Sequence, residues 1–165
     1  EANGLRLPRE RYSALWASFV HLVRNAVDHG VESSQARDPK KGRAKLTFSA
    51  ARRRDGLVLS LQDDGGGIDW QKVAARARQV GLPCETQAEL VDALFSDGFS
   101  TKDEASDVSG RGVGLAAVRS AAKTLGGDVQ VTTELGMGTT FAVVLPWPDD
   151  VVAPVLPVAG ARAAA

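Results

Sequence analysis

Hydrophobic residues recur at helical spacing in the first part of the chain. Leu15, Phe19, Leu22 and Ala26 are separated by four, three and four positions, so they would lie on one face of an α-helix. Gly30 follows as a candidate C-cap. The pattern predicts a helix of roughly 20 residues, followed by a polar loop with the sequence "VESSQARDPKKGR".

Two later segments, "AKLTFSA" and "GLVLSLQD", alternate between apolar and polar residues, and "RRRDG" lies between them. A period of two is typical of half-buried strands, so these segments predict an antiparallel hairpin. The segment "DVQVTTELGMGTTFAVVLP" has a similar character and predicts a second hairpin that turns at "LGMG".

Three further helices are predicted between and after these strands. "WQKVAARARQVG" forms one that ends at Gly81, and "ETQAELVDALFSDG" forms another, with Thr86 as N-cap and Glu89 three residues later. A third helix runs from about Gly112 to Leu125. The segment before it, "FSTKDEASDVSGRG", has no periodicity, and a loop of this length inside a compact domain is usually functional.

The order of elements is helix, hairpin, two helices, long loop, helix and hairpin. Because strands and helices are grouped in this way, we predict an α+β fold: a two-layer sandwich in which a mixed, mostly antiparallel sheet has helices on one face. Residues 1–147 would form the domain. Residues 148–165 are rich in Pro and Ala and predict a linker or a disordered tail.

Composition narrows the functional classes. The chain has 165 residues, with 20 basic and 20 acidic ones, so it has no net positive charge to attract nucleic acid or anionic lipid.

The single cysteine excludes an internal disulfide and fits a reducing, cytoplasmic compartment. No apolar run approaches the ~20 residues of a membrane helix. Because the chain begins with Glu1 and shows no signal peptide, we expect a piece of a longer protein.

Three polar or glycine-rich clusters are candidates for chemistry. His21, Asn25 and Asp28 share one face of the first helix; they form either a solvated stripe or a site where the Asn25 oxygen binds magnesium beside phosphates. "DDGGGI" follows a strand directly and is either a simple turn or a place where a carboxylate and bare backbone meet a ligand.

The third cluster is "GRGVGL", in which three glycines at alternate positions precede a helix. Free N–H groups at a helix start form an anion site. The Gly-Lys-Ser/Thr ending of a Walker A loop is missing, and the glycine spacing does not match a dinucleotide-binding turn. If phosphates bind here, another architecture must hold them.

Together, the three clusters resemble the motifs of the GHKL ATPase superfamily, which includes gyrase and the histidine kinases. "HLVRNAVDHG" is similar to its N box, "DDGGGID" to its first glycine box and "GRGVGL" to its second. "FSDGFSTKDEASDVSGRGVGL" resembles the ATP lid of the chemotaxis kinase CheA, with the lid itself at about 95–109. CheA also carries histidine at the head of the N box. The resemblance extends from about Leu15 to Pro146.

The resemblance implies a role for each motif. Asn25 would hold magnesium at the phosphates, and His21 would lie near the γ-phosphate, so these are the expected catalytic residues. Asp63 would bind the adenine amino group, while Gly65 and Gly67 would let the backbone pass beneath the base. Other expected nucleotide-binding residues are Asp28, His29, Ile68, Phe99, Ser100, Thr101, Lys102, Ser109, Gly110, Arg111, Gly112, Val113, Gly114, Leu115 and Thr140. Arg24 would be a further phosphate contact, although the charged members of this set could equally be surface charges.

The implied function is the ATP-binding catalytic domain of a CheA-like two-component histidine kinase, with ATP and magnesium as cofactors. The implied partners are a histidine phosphotransfer domain and a response regulator, with components of chemoreceptor-type arrays as further candidates. Nucleic acid and direct membrane contact are not expected. Dimerisation would depend on helices upstream of Glu1.

Three alternatives remain at this point. The chain could be a degenerate nucleotide-binding signalling module without kinase activity, although Asn25, Asp63 and the glycines of both boxes are intact. It could also be an anti-sigma serine kinase or a gyrase-like ATPase, both of which the CheA-like lid disfavours. The chain also departs from the usual CheA sequence at three places, which are "AAV" after "GVGL", Gly66 and the Ala/Pro tail.

Overall fold

The computed structural model describes residues 7–27, 42–53, 56–101 and 114–147. Within these ranges the helices are α1 (Arg9–Asn25), α2 (Trp70–Gln79), α3 (Gln87–Leu94) and α4 (Gly114–Thr124), and the strands are β1 (Leu46–Arg53), β2 (Gly56–Asp63), β3 (Asp128–Glu134) and β4 (Gly138–Leu145). The predicted order of elements is confirmed. The predicted cap at Gly30, most of the long loop and the tail at 148–165 lie outside the described residues.

The four described strands form one sheet in the order β1-β2-β4-β3. β1 pairs with β2 in the first hairpin, and β3 pairs with β4 in the second. The two hairpins are joined by pairing of β2 with β4, so that Leu59 lies between Ala50 and Val143. All three pairings are antiparallel. The α+β prediction is confirmed, but the described part of the expected mixed sheet contains no parallel pair.

One face of this sheet is buried under helices. The inward rows of β2 and β4 pack with α1 and α4 into a single core, whose main members are Leu57, Leu59, Leu61, Phe141, Val143, Leu145, Tyr12, Leu15, Phe19, Leu22, Val118 and Ala122. Residues on the alternate positions, such as Val58 and Val144, are only half-buried. Because successive side chains of a strand point to opposite faces, each strand carries one row for the core and one for the open face.

The helix ends follow local side-chain chemistry. The predicted capping box at α3 is present, since the Thr86 hydroxyl accepts the Glu89 N–H at 3.2 Å and the Glu89 carboxylate accepts the Thr86 N–H at 2.9 Å. Asp69 caps α2 by accepting the N–H groups of Gln71 and Lys72.

α2 and α3 pack around a smaller cluster that contains Cys84. None of the helices described here is both long and apolar enough to cross a membrane.

Two neighbouring valines on β4 test the one-sided burial of the sheet. Val143 is fully buried in the core, whereas Val144 lies on the open face. We expect Val143→Ala to lower the free energy of unfolding by about 2 kcal/mol, because it removes two methyl groups and leaves a cavity. Val144→Ala loses the same strand propensity without a cavity, so it should cost clearly less. Urea denaturation measures both, and equal losses would contradict the assignment of faces.

Candidate functional site

Asp63 is the last residue of β2 and lies in the inward row that begins with Leu57, Leu59 and Leu61. Its side chain is only 3% exposed. Because successive side chains of a strand point to opposite faces, the Asp63 carboxylate lies on the same face as the three leucines, at the edge of the core. A charge is rarely buried in this way unless hydrogen bonds compensate for its lost hydration.

Two backbone N–H groups supply that compensation, and both bind the same oxygen. Asp63 Oδ1 accepts the N–H of Gly65 at 3.0 Å and the N–H of Thr139 at 3.3 Å. Burial raises the pKa of Asp63 above its ordinary value, and these two hydrogen bonds partly oppose that rise. Oδ2 accepts no hydrogen bond from the described residues, so it remains the atom that could receive an amino group from a ligand.

The glycine turn after Asp63 is packed directly onto the β3–β4 hairpin. Gly67 has a φ of +74°, and a Cβ at this position would collide with the Glu134 carbonyl. Gly138 has a φ of +108°, and its Cβ would collide with the Asp63 carbonyl. The positive φ values and the close backbone approach both require glycine here. At Gly67 the missing side chain makes room for the hairpin backbone, and the role of Gly65 and Gly67 beneath a base stays a prediction.

Hydrogen bonds tie the turn to the hairpin. The Gly136 N–H donates to the Gly66 carbonyl at 2.8 Å. The Thr133 hydroxyl accepts the Ile68 N–H at 2.9 Å and donates to the Gly138 carbonyl at 2.9 Å. The side chain of Ile68 packs against the main core. Asp63 is therefore held in a rigid frame of backbone contacts.

The structure does not bring Thr140 to this site. Thr140 pairs with Gln62 and Thr132 in the sheet, so its side chain belongs to the open face, opposite to Asp63. The residue beside Asp63 is Thr139, which is buried, donates its N–H to the carboxylate and lies 3.1 Å from Thr133 between hydroxyl oxygens. Thr139 and Thr133 were missed in the sequence, and the only available signal was that Thr139 is in phase with Phe141 and Val143.

His21, on the predicted polar stripe of α1, lies beside the start of α4. His21 and Asn25 are half-buried, and Arg24 is exposed. A Cβ at Gly114 would lie 3.8 Å from the Cβ of His21, which is ordinary van der Waals contact. The start of α4 therefore lies beside His21, and the roles of these residues at the phosphates stay predictions. Asp28 and His29 lie outside the described residues.

The remaining predicted residues fall into three groups. Phe99 is half-buried and packs on the small cluster around Cys84, and Leu115 packs against the main core, so both have structural contacts of their own. Ser100 and Thr101 are exposed at the end of the segment after α3. The residues that lie outside the described ranges are Lys102, Ser109, Gly110, Arg111, Gly112 and Val113.

The donor set fits a nucleotide at two ends. The buried Asp63 carboxylate suits an exocyclic amine, while α1 packs against α4 with His21 beside Gly114 at the start of the helix. Asn25 offers one hard oxygen, which suits magnesium when phosphates supply other ligands. No group of three or more His, Cys, Asp or Glu side chains in the described ranges could hold a metal by itself.

Comparison with known proteins gives a consistent picture. The family described as "Histidine kinase-, DNA gyrase B-, and HSP90-like ATPase" matches residues 15–149. The chain is 38% identical over 154 residues to the chemotaxis protein CheA of Halobacterium salinarum, covering 88% of this chain and 23% of the relative. It is 40% identical over 141 residues to the gliding motility regulatory protein of Myxococcus xanthus, covering 78% of this chain and 18% of the relative.

Among solved structures, the ATP binding domain of PrrB from Mycobacterium tuberculosis aligns with a TM-score of 0.47 and 22% identity. It covers 83% of this chain and 69% of that one. The chain spans only about a fifth of the length of the curated relatives named above.

The buried charge of Asp63 has a measurable effect on stability. Asp63→Asn keeps an oxygen for the N–H groups of Gly65 and Thr139 but removes the charge. Because the folded-state pKa of Asp63 is raised, the wild type loses stability as the pH rises from about 4 through that pKa. We expect the variant to match the wild type at about pH 4 and to have a higher free energy of unfolding at neutral pH.

Chemical denaturation at several pH values measures this difference. Asp97→Asn, at an exposed position, is the matched control and should show no such gain. A deficit of Asp63→Asn that grows toward neutral pH would contradict the burial argument.

Proposed function

Because the chain belongs to the histidine kinase-, DNA gyrase B- and HSP90-like ATPase family, we propose that it is the ATP-binding catalytic domain of a CheA-like two-component histidine kinase. It binds ATP with magnesium and presents the γ-phosphate to a histidine on a separate phosphotransfer domain. The observation that carries the proposal is the buried Asp63 carboxylate, whose Oδ1 is held by two backbone N–H groups while Oδ2 suits the amino group of adenine.

The two ends of the proposed site have different tasks. Asp63 reads the base, and the backbone at Gly65 and Gly67 lies beneath it. His21 lies beside the start of α4, where amide groups would receive the phosphates. When magnesium is bound, it neutralises phosphate charge, and Asn25 is the residue that would hold it. Catalysis would consist of positioning and charge neutralisation, as in phosphoryl transfer generally.

The residue at the head of the N box bears on how fast the domain hydrolyses ATP. A glutamate there would activate water as a general base, whereas this chain carries His21. The acceptor imidazole of a histidine kinase is itself a nucleophile and needs little help from a base. His21 therefore favours transfer to a protein over transfer to water.

The similarity to chemotaxis and gliding-motility proteins supports a coarse set of partners. We propose a histidine phosphotransfer domain and a response regulator, with array components of the chemoreceptor type as further candidates. The proposed location is the cytoplasm, and the full-length protein is proposed to be a dimer.

Nucleotide binding tests the role of Asp63. In Asp63→Asn, the N–H groups of Gly65 and Thr139 would keep the amide oxygen at the Oδ1 position, so the NH₂ group would replace Oδ2. That group is a donor and cannot accept the adenine amine. We expect the affinity for magnesium-ATP to fall about 10- to 100-fold, the range for losing a hydrogen bond to a charged group.

Isothermal calorimetry on the folded wild type and variant gives both affinities. Gln62→Ala, one residue earlier on the exposed face, is the control and should bind as the wild type does. If the wild type is folded and binds no ATP, the degenerate signalling module becomes the better description.

Hydrolysis tests the role of His21. Without an acceptor domain, we expect this chain to hydrolyse ATP at least about 100-fold more slowly than the roughly 1–100 s⁻¹ of working kinases. A coupled assay for released phosphate measures the rate. Rapid steady-state turnover by the chain alone would count against a kinase and in favour of an ATPase.

A further inference from the structure

Arg119 lies in the middle of α4 and connects three elements at once. Its guanidinium donates to Asp128 at the start of β3 at 2.8 and 3.2 Å, and to Asp92 on α3 at 2.6 Å. It also lies over the ring of Phe95, 5.4 Å from the ring centroid. Planar guanidinium groups can bind two carboxylates in fixed directions, which a lysine ammonium cannot do.

These contacts act on the part of α4 that precedes them. Arg119 is five residues after Gly114, which corresponds to about 7.5 Å along a helix. A Cβ at Gly114 would be in van der Waals contact with His21, so the start of α4 lies close to α1. A helix moves as a unit over such a short distance. The contacts of Arg119, which fix the direction of the α4 axis, therefore also fix the position of the first turn of α4.

The other end of the candidate site does not depend on Arg119 in this way. Asp63 is held by the N–H groups of Gly65 and Thr139. Thr139 lies on β4, which is paired with β2 on one edge and with β3 on the other. The frame around Asp63 is therefore fixed by backbone hydrogen bonds, whereas side-chain contacts orient α4.

The contact between Arg119 and Asp92 contributes little to the free energy of unfolding, but it helps to fix the direction of α4 relative to α3. The Asp92 side chain is 66% exposed, and that of Arg119 is 20% exposed. Ion pairs with an exposed partner contribute little to the free energy of unfolding. The pair with Asp128 is strong enough to lower the pKa of that carboxyl below its ordinary value, so both charges are present at neutral pH.

From this arrangement we propose that Arg119 is a positioning residue for the phosphate end of the nucleotide site. It acts through α4, whose first turn it aligns with His21, and it does not touch the nucleotide itself. This inference rests on the proposed function. It adds that the affinity for the phosphates and the affinity for the base depend on different sets of contacts, with Arg119 in the first set only.

The test compares ATP with AMP, which shares the base but lacks the outer phosphates. Binding of both is measured by nuclear magnetic resonance titration on this chain, at a temperature where circular dichroism shows every variant fully folded. We expect Arg119→Gln to weaken magnesium-ATP about 3- to 10-fold, the range for residues that couple to a site without contacting its ligand. AMP affinity should stay the same.

Three further variants make the result specific. Arg119→Lys keeps the charge without the two-way geometry and should weaken ATP to an intermediate extent. Asp92→Asn should weaken ATP with almost no change in the thermal midpoint. Lys123→Gln removes an exposed charge one turn further along α4 and should affect neither nucleotide. If Arg119→Gln does not fold, Arg119→Lys and Asp92→Asn carry the comparison.

Two results would overturn the proposal. One is unchanged ATP affinity in Arg119→Gln or in its substitutes, and the other is a parallel loss of ATP and AMP affinity, which a purely structural role would produce. A folded wild type that binds neither nucleotide would instead refute the proposed function, and this inference with it.

Discussion

The burial of only one face of the sheet is the constraint on which the fold and the site both depend. β2 presents Leu57, Leu59 and Leu61 to the helices, and the same alternation brings Asp63 to the edge of the core as the next member of the row. A buried carboxylate needs donors at short range. The chain supplies them from the glycine turn that follows and from the neighbouring strand, so the requirements of packing create the polar centre of the site.

The two ends of the site are built by different means. Around Asp63, backbone approaches that only glycine allows, together with the hydroxyl of Thr133, lock the turn onto the second hairpin. At the other end, the start of α4 lies beside His21, and the ion pairs of Arg119 hold α4 against α3 and β3. A rigid end suits recognition of a flat base of constant shape. An end held by side chains can adjust when phosphates bind and leave.

The proposed role in recognition would explain why a carboxylate, rather than an amide, occupies this buried position. Burial raises the pKa of Asp63, so the folded protein carries a charge that would be better hydrated in the unfolded chain. An asparagine would keep the hydrogen bonds that hold the turn but would present a donor where adenine needs an acceptor. In the proposed function the carboxylate serves recognition, and the surrounding leucine rows compensate for its cost in stability.

Much of the architecture was predictable from the sequence because it depends on neighbours within a few positions. The spacing of Leu15, Phe19 and Leu22 predicted α1, and the pair Thr86 and Glu89 predicted the start of α3. The three glycine and polar motifs indicated the nucleotide site because each lies within one continuous segment.

What the tertiary structure alone decided concerns which residues face each other. In "TTFAVVL" nearly every position of β4 is compatible with the core, so the sequence could not say whether Thr139 or Thr140 faces Asp63, and the helices that cover one side decided it. Arg119 is 27 positions from Asp92, and no local pattern connects them. Periodicity follows from the geometry of a single element, whereas the covered face and the meeting of distant charges follow from how elements pack.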